Sequence, residues 1–267
     1  MIDIHSHILP GLDDGAESLG ESLKMARMAE ADGIIQMVAT PHLFRGSFVN
    51  NGLDVIEKTK NDLQTLLKSE GITLELFHGT EVYVTHNLIE KVIEERENLV
   101  VNHGSYMLVE FPSGHIFPGV KDLLFEIMTE GLQVIIVHPE RNRVFQSDPG
   151  FLCELINMGA FCQANSGSFT GVYGHEVQET VFRFLDWKYL HFLGSDCHNT
   201  RSLSPNLSKA RDKIEEMAGK EAALALVLSN PQAMLAGEDI PFRPEPQSPK
   251  SRAKSLKIKL PNLFIRK

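Results

Sequence analysis

The chain has 267 residues, is 42% hydrophobic and carries a formal net charge of −9. That length suits one large α/β barrel or two small domains, and the apolar share excludes a disordered chain. The negative balance excludes general nucleic-acid binding, because no surplus of cations exists to displace the counterions of phosphates.

The three cysteines, Cys153, Cys162 and Cys197, are odd in number and widely spaced. They form neither a disulfide framework nor a C-x-x-C site, and a reducing cytosol suits them. No run of about 18 apolar residues marks a membrane span, and no basic leader precedes the polar cluster that starts at residue 5. The expected location is cytoplasmic.

Residues 2–7, IDIHSH, read as a first strand. After a turn at Pro10-Gly11, ESLGESLKMARMAEADG reads as a helix: Ser18 and Glu21 form a capping box, Leu19, Leu23 and Ala26 lie near one face, and Gly33 stops it. IIQMVATPH is a second strand, and a long helix runs from about residue 53 to 70, ended by Gly71. TLELFHGTEVYV, SYMLVEFP, LQVIIVHPE, AFCQANSGS and LHFLGSDCH continue the strands. VKDLLFEIMTEG, FLCELINMG and HEVQETVFRFLDWK are helical stretches between them. About seven strands alternating with helices is the signature of parallel βα units.

A barrel and a doubly wound sheet both satisfy that pattern. Almost every strand ends in a ligand-type residue: His5 and His7, His42, Glu81, Glu110, His138, then Asp196 and His198. The C-terminal ends of barrel strands share one mouth, whereas the outer strands of an open sheet lie too far apart for these groups to meet. A distorted, TIM-like (β/α)7 barrel with its site at the C-terminal strand ends is therefore the expected fold. Residues 1–240 make the domain. Residues 241–267 form a basic, proline-containing C-terminal tail, read as flexible and solvated; its LKIKL run could add an edge strand.

An isolated histidine is more often a core residue than a ligand, and His78, His86, His103, His115, His175 and His191 are assigned to that class. The strand-end set differs. H-x-H and D-x-H each place two donors on one face of a strand. Burying so many polar groups unpaired would cost roughly 1–3 kcal/mol each, a penalty that divalent ions remove. Nine residues form the candidate metal set: His5, His7, Asp14, His42, Glu81, Glu110, His138, Asp196 and His198. Imidazole and carboxylate without thiolate suits manganese, iron or zinc. With three or four ligands per site, nine donors imply two or three ions; a single stabilising zinc with incidental polar neighbours is the plainer alternative.

The run D-x-H-x-H-x-L-P-x-x-D-D-G, TPH at 40–42, GTE at 79–81, HPER at 138–141 and SDCH at 195–198 resemble the polymerase-and-histidinol-phosphatase (PHP) superfamily. Within it they are most similar to the bacterial manganese-dependent protein-tyrosine phosphatases that accompany capsule and exopolysaccharide tyrosine kinases. The resemblance spans residues 1 to about 235. It implies three metals: one held by His5, His7, Glu81 and Asp196, a second by Glu81, Glu110 and His138, a third by Asp14, His42 and His198. Asp13 also matches the motif and is assigned a supporting role.

The resemblance further implies phosphotyrosine hydrolysis by metal-activated hydroxide, attacking phosphorus in line without a phosphoenzyme. Arg141 is the candidate phosphate grip. Arg201 is the counterpart of a second family arginine, although RSLSP replaces the family's R-P-P-like run. His42 or Asp196 would protonate the leaving group. A covalent cysteine route is excluded, because the positions six residues after each cysteine are Gly159, Ser168 and Leu203, not arginine. The expected partner is a phosphotyrosine protein, a bacterial tyrosine kinase, with no nucleic acid and no membrane segment. The alternatives are a phosphatase for a small ester such as histidinol phosphate, and a metal-stabilised scaffold without activity.

Overall fold

A computed structural model of the chain describes residues 1–48 and 51–249. Among these residues, nine parallel strand segments are interspersed with helices. They are β1 (Ile2–Ser6), β2 (Gln36–Ala39), β3 (His42–Leu43), β4 (Glu75–His78), β5 (Glu81–Tyr83), β6 (Tyr106–Glu110), β7 (Gln133–Val137), β8 (Phe161–Asn165) and β9 (Phe192–Gly194). The helices that matter for the site are α1 (Leu19–Ala31), α2 (Leu53–Ser69), α3 (Leu88–Leu99) and α4 (Val120–Thr129). A three-stranded sheet runs β1-β2-β4 and a six-stranded sheet runs β3-β5-β6-β7-β8-β9.

The local signals in the sequence explain the helix ends. Ser18 Oγ accepts the Glu21 N–H at 3.3 Å at the start of α1, and Gly33 takes the left-handed φ of +86° just beyond its end. Gly71 does the same after α2 with φ +72°.

Two expected strands are broken in the molecule. IIQMVATPH divides into β2 and β3 at Thr40-Pro41, where proline has no N–H for the ladder. TLELFHGTEVYV divides into β4 and β5 at Gly79-Thr80, where a Cβ on Gly79 would fall 3.0 Å from Val38 Cγ1. The ends of the two sheets also touch. Ser6 bridges Cys197 in parallel, His7 N–H donates to Cys197 O at 2.9 Å, and Asp196 N–H donates to His5 O at 2.9 Å. Asp3 Oδ1 fastens the same seam by accepting the Ser195 N–H at 2.9 Å.

Side chains alternate between two apolar clusters with the period of the strands. In β6, Met107 and Val109 join the cluster that contains Met25 and Ala26 of α1 and Leu124 and Ile127 of α4, while Tyr106 and Leu108 join a smaller cluster with Ile4, Val38, Phe161 and Phe192. Glu110 follows Tyr106 and Leu108 in that alternation, as Gln163 and Asn165 follow Phe161 in β8. One face of these strands thus runs from apolar to polar toward its C-terminal end, and the polar end carries the site.

Four of the six histidines assigned to the core, His86, His103, His115 and His175, are exposed because they sit in turns or at a helix start rather than in strands. Only His78 and His191 are buried. From the tail, Gln247 N–H donates to Trp187 O at 2.9 Å and Gln247 O accepts from the Tyr189 hydroxyl at 3.2 Å. The remainder of the basic segment from residue 250, LKIKL included, lies outside the described residues. No helix among the described residues is long and apolar enough to cross a membrane.

Candidate metal centre

The nine strand-end donors converge. His5 Nε2 and His7 Nε2 face each other at 3.3 Å. Both lie 3.4 Å from Glu81 Oε2, and they stand 3.5 and 3.3 Å from Asp196 Oδ1. His138 Nε2 is 2.8 Å from Glu81 Oε1. His42 reaches two ways: its Nδ1 is 2.7 Å from Glu81 Oε2 and 3.8 Å from Glu110 Oε2, and its Nε2 is 3.3 Å from Asp14 Oδ1. His198 Nε2 closes the outer side at 3.4 Å from Asp14 Oδ1.

Three overlapping donor groups result: His5, His7 and Glu81; His42, Glu81 and Glu110; and His7, Asp14, His42 and His198. The grouping differs from the expected one in three places: Asp196, although near His5 and His7, is not in the first group. His42 stands beside Glu81 and Glu110 where His138 was assigned, and His7 joins the outer group.

Backbone geometry aims these groups. His138 and Asp196 are non-glycine residues in the left-handed region, with φ of +35° and +53°. Such positions carry strain of about 1–3 kcal/mol and cluster at functional sites. Gly15 lets the D-D-G loop lie against His7, since a Cβ there would fall 2.2 Å from the His7 carbonyl oxygen.

Three of the imidazoles are turned by their other nitrogen. His7 Nδ1–H donates to Asp13 Oδ2 at 2.6 Å, His5 Nδ1–H to Gln163 Oε1 at 2.9 Å, and His198 Nδ1–H to Asp196 O at 2.9 Å. All three leave a bare Nε2 toward the centre, the arrangement that orients histidine ligands. Gln163 Nε2 donates to Asn165 Oδ1 at 2.9 Å, and Asn165 Nδ2 donates to Asp196 Oδ2 at 2.7 Å, so one amide chain links His5 to Asp196.

The donor set fits divalent ions. Glu81 Oε2 and Glu110 Oε2 are buried and make no regular hydrogen bond among the described residues, meeting only the ring nitrogens of His5, His7 and His42 and, for Glu110, Arg45 Nε at 3.4 Å; such crowded buried carboxylates suit a cation among them. Burial and then the neighbouring Glu81 charge push Glu110 up to about 7. Burial opposes protonation of His42, but Asp14 and Glu81 override it and raise the ring to about 9. Burial likewise opposes ionisation of Glu81 and Asp196, yet the charge of His5 and the surrounding imidazoles hold both well below the usual carboxylate range.

Two arginines flank the cluster. Arg141 Nη1 donates to Asp196 Oδ2 at 2.6 Å, and its guanidinium lies 4.3 Å over the Tyr173 ring. Arg45 places Nη1 2.6 Å from His42 Nε2 and Nε 3.4 Å from Glu110 Oε2. Sequence reasoning missed Arg45, Gln163, Asn165 and Tyr173; the signals were an arginine three residues past a strand-end histidine and a Q-x-N on one strand face. Arg201 does not join the cluster. It is exposed, its backbone N–H donates to Asn199 Oδ1 at 2.9 Å, and its guanidinium makes no hydrogen bond or ion pair among the described residues.

Comparison with known proteins agrees in sequence and in fold. Residues 1–236 match the family model described as capsular polysaccharide synthesis, CpsB/CapC. The chain is 34% identical over 252 residues to the tyrosine-protein phosphatase YwqE of Bacillus subtilis, covering 94% of this chain and 98% of that one. It is 32% identical to the putative tyrosine-protein phosphatase CapC of Staphylococcus aureus, covering 90% and 93%. A solved structure described under YwqE from Bacillus subtilis and CpsB from Streptococcus pneumoniae, unique metal-dependent tyrosine phosphatases, superposes with a TM-score of 0.88 at 32% identity, covering 93% of this chain and 99% of that one. An organophosphorus hydrolase variant from Deinococcus radiodurans shares the fold alone, with a TM-score of 0.53 at 14% identity over 88% of this chain and 92% of that one.

Proposed function

Since the chain belongs to the capsular polysaccharide synthesis CpsB/CapC family, we propose that it is a metal-dependent protein-tyrosine phosphatase, with residues 1–240 as the catalytic domain. The observation that carries the reading is the convergence on Glu81 Oε2, a buried carboxylate oxygen with ring nitrogens of His5, His7 and His42 within 3.4 Å. The two sheets are read as one seven-stave barrel, supported by the Ser6–Cys197 bridge and by the shortness of the breaks at residues 40–41 and 79–80.

His5, His7, Glu81 and Asp196 would hold one ion, Glu81, Glu110 and His138 a second, with His42 beside them, and Asp14, His42 and His198 a third. Manganese suits this mixed oxygen and imidazole set. Bound ions of this kind supply positive charge to phosphoryl oxygens and make water nucleophilic near neutral pH.

The chain's own residues do the remainder. Arg141, half-exposed and braced by Asp196 and Tyr173, presents its remaining N–H donors to a phosphate, an interaction that strengthens as charge builds in the transition state. Asp196 is held ionised by His5 and the surrounding imidazoles and oriented by Asn165 and Arg141. His42 lies between Glu81 and Asp14, the latter half-exposed at the rim.

An acidic protein repels a phosphate dianion except where this local charge reverses the field. The half-exposed Arg141 and Asp14 mark a site open enough for a side chain presented on a peptide, which supports a bacterial tyrosine kinase with a tyrosine-rich tail as the substrate. Unpaired Cys153, Cys162 and Cys197 support a cytoplasmic location.

The test compares hydrolysis of a phosphotyrosine peptide with that of histidinol phosphate at equal concentration, before and after EDTA and manganese readdition. Peptide turnover that vanishes with EDTA and returns with manganese is the expected result. Turnover that survives complete metal removal, or a preference for histidinol phosphate, overturns the proposal.

A further inference from the structure

On the flank of the fold, away from the strand-end cluster, Glu57 of α2, His78 at the end of β4 and His103 in the turn between α3 and β6 meet. His103 Nε2 lies 3.1 Å from Glu57 Oε1, His78 Nδ1 lies 3.8 Å from the same oxygen, and the two ring centroids are 4.3 Å apart. We propose that Glu57, His78 and His103 form a peripheral zinc site that ties α2, β4 and the α3–β6 turn together.

His78 carries the inference. It is 2% exposed, and the Nδ1 that faces Glu57 makes no hydrogen bond among the described residues. At 3.8 Å that Nδ1 is too far from the Glu57 carboxylate for a hydrogen bond, a gap that an ion between the two would fill. Two imidazoles and one carboxylate on a common centre are a sufficient protein ligand set for zinc, with the fourth position open to water.

The surroundings serve that centre. With its proton on Nδ1, toward Glu97 Oε2 at 3.4 Å, His103 turns a free Nε2 to the Glu57 side. Burial, and then the nearby His103, depress His78 to about 4, so it is neutral and able to ligate at physiological pH. The turn that presents His103 is built for the purpose: Asn102 and His103 both adopt left-handed backbone, and Asn102 N–H donates to His78 O at 3.0 Å. The competing arrangement, a charged His103 between two glutamates, leaves His78 packed unpaired against a cation.

The site is independent of the phosphatase reading, and its test does not use activity. Full-length protein, His103→Gln and Glu57→Gln are dialysed to equilibrium against micromolar zinc, and bound zinc is measured by atomic emission. Both substituted residues are partly exposed, and circular dichroism verifies that the variants are folded. All three proteins share the central cluster, so the difference in zinc content isolates the flank. The expected result is one equivalent less in each variant than in the unaltered chain. Equal zinc content in all three overturns the proposal.

Discussion

His7 Nδ1 lies 2.6 Å from Asp13 Oδ2, and that same carboxylate oxygen accepts the His42 backbone N–H at 3.1 Å. Asp13 therefore sets both the ring orientation of one donor and the backbone position of another. Burial alone would raise its pKa, but His7 and two backbone N–H groups hold it below the usual carboxylate range, so it stays ionised.

Replacing Asp13 by Asn removes the charge while keeping the shape. Loss of such a ligand-orienting group costs about 10–100-fold in metal affinity. A manganese titration of phosphotyrosine hydrolysis with Asp13→Asn should show a half-saturation point raised by that factor, with turnover largely restored at saturating manganese. His7→Ala should not be restored at any concentration. If Asp13→Asn titrates like the unaltered chain, the carboxylate has no orienting role.

Arg141 and Arg201 separate a gripping role from sequence proximity. Arg141 is fixed by Asp196 and Tyr173 at the edge of the cluster, whereas Arg201 is exposed and bound only through its backbone N–H. Removing a preorganised donor to developing transition-state charge costs about 10²–10³ in rate. Arg141→Ala should lower kcat by that order with manganese content unchanged, and Arg201→Ala should stay within about threefold. Equal losses in the two variants would refute the distinction, read directly from steady-state kinetics.

Much of this was legible in the sequence for a physical reason. A parallel βα chain repeats one local pattern, and a ligand residue at a strand's end is recognisable from the two or three residues around it. Ser18, Gly33 and Gly71 marked helix ends by the same short-range chemistry. What was not legible depends on residues far apart in the chain. Nothing near His42 shows that its ring divides between Glu81 and Asp14, and nothing near Arg201 shows that it faces solvent. The core assignment of His103 failed because its turn, pinned to His78 O, is a tertiary feature.

Gly15 offers a steric test of the D-D-G loop. A methyl group there would fall 2.2 Å from His7 O and 2.4 Å from His7 Cβ. Both neighbours belong to the first strand's exit, which Cys197 O holds through the His7 N–H, so the loop must yield. Overpacking of this kind costs typically about 1–3 kcal/mol. Gly15→Ala should lower the melting temperature by several degrees and weaken manganese binding together, because Asp13 and Asp14 move with the loop. A variant with unchanged melting and unchanged manganese titration would show that the loop is not seated on His7.

His191 gives a pH prediction away from the cluster. It is fully buried, its Nδ1 accepts the Cys162 N–H at 3.2 Å, and its Nε2 has no partner. Burial, and then the nearby Arg243 charge, depress it to about 3, against about 6.5 in an unfolded chain. Between those values the unfolded chain binds a proton that the folded chain refuses. Stability is therefore complete above pH 6.5 and declines as pH falls through the window, by up to about 1.4 kcal/mol per pH unit from this group. His191→Phe removes the proton site and also the acceptor for Cys162 N–H, so it should be less stable at pH 7. Its stability should nonetheless fall less steeply, by about 1.4 kcal/mol per unit, between pH 6 and 4. Urea unfolding of both proteins in EDTA across that range measures the difference, since every other titrating group is common to the two. Parallel stability curves would mean that His191 takes up its proton without unfolding the chain, in a site far less closed than the packing of Phe161 against its ring indicates.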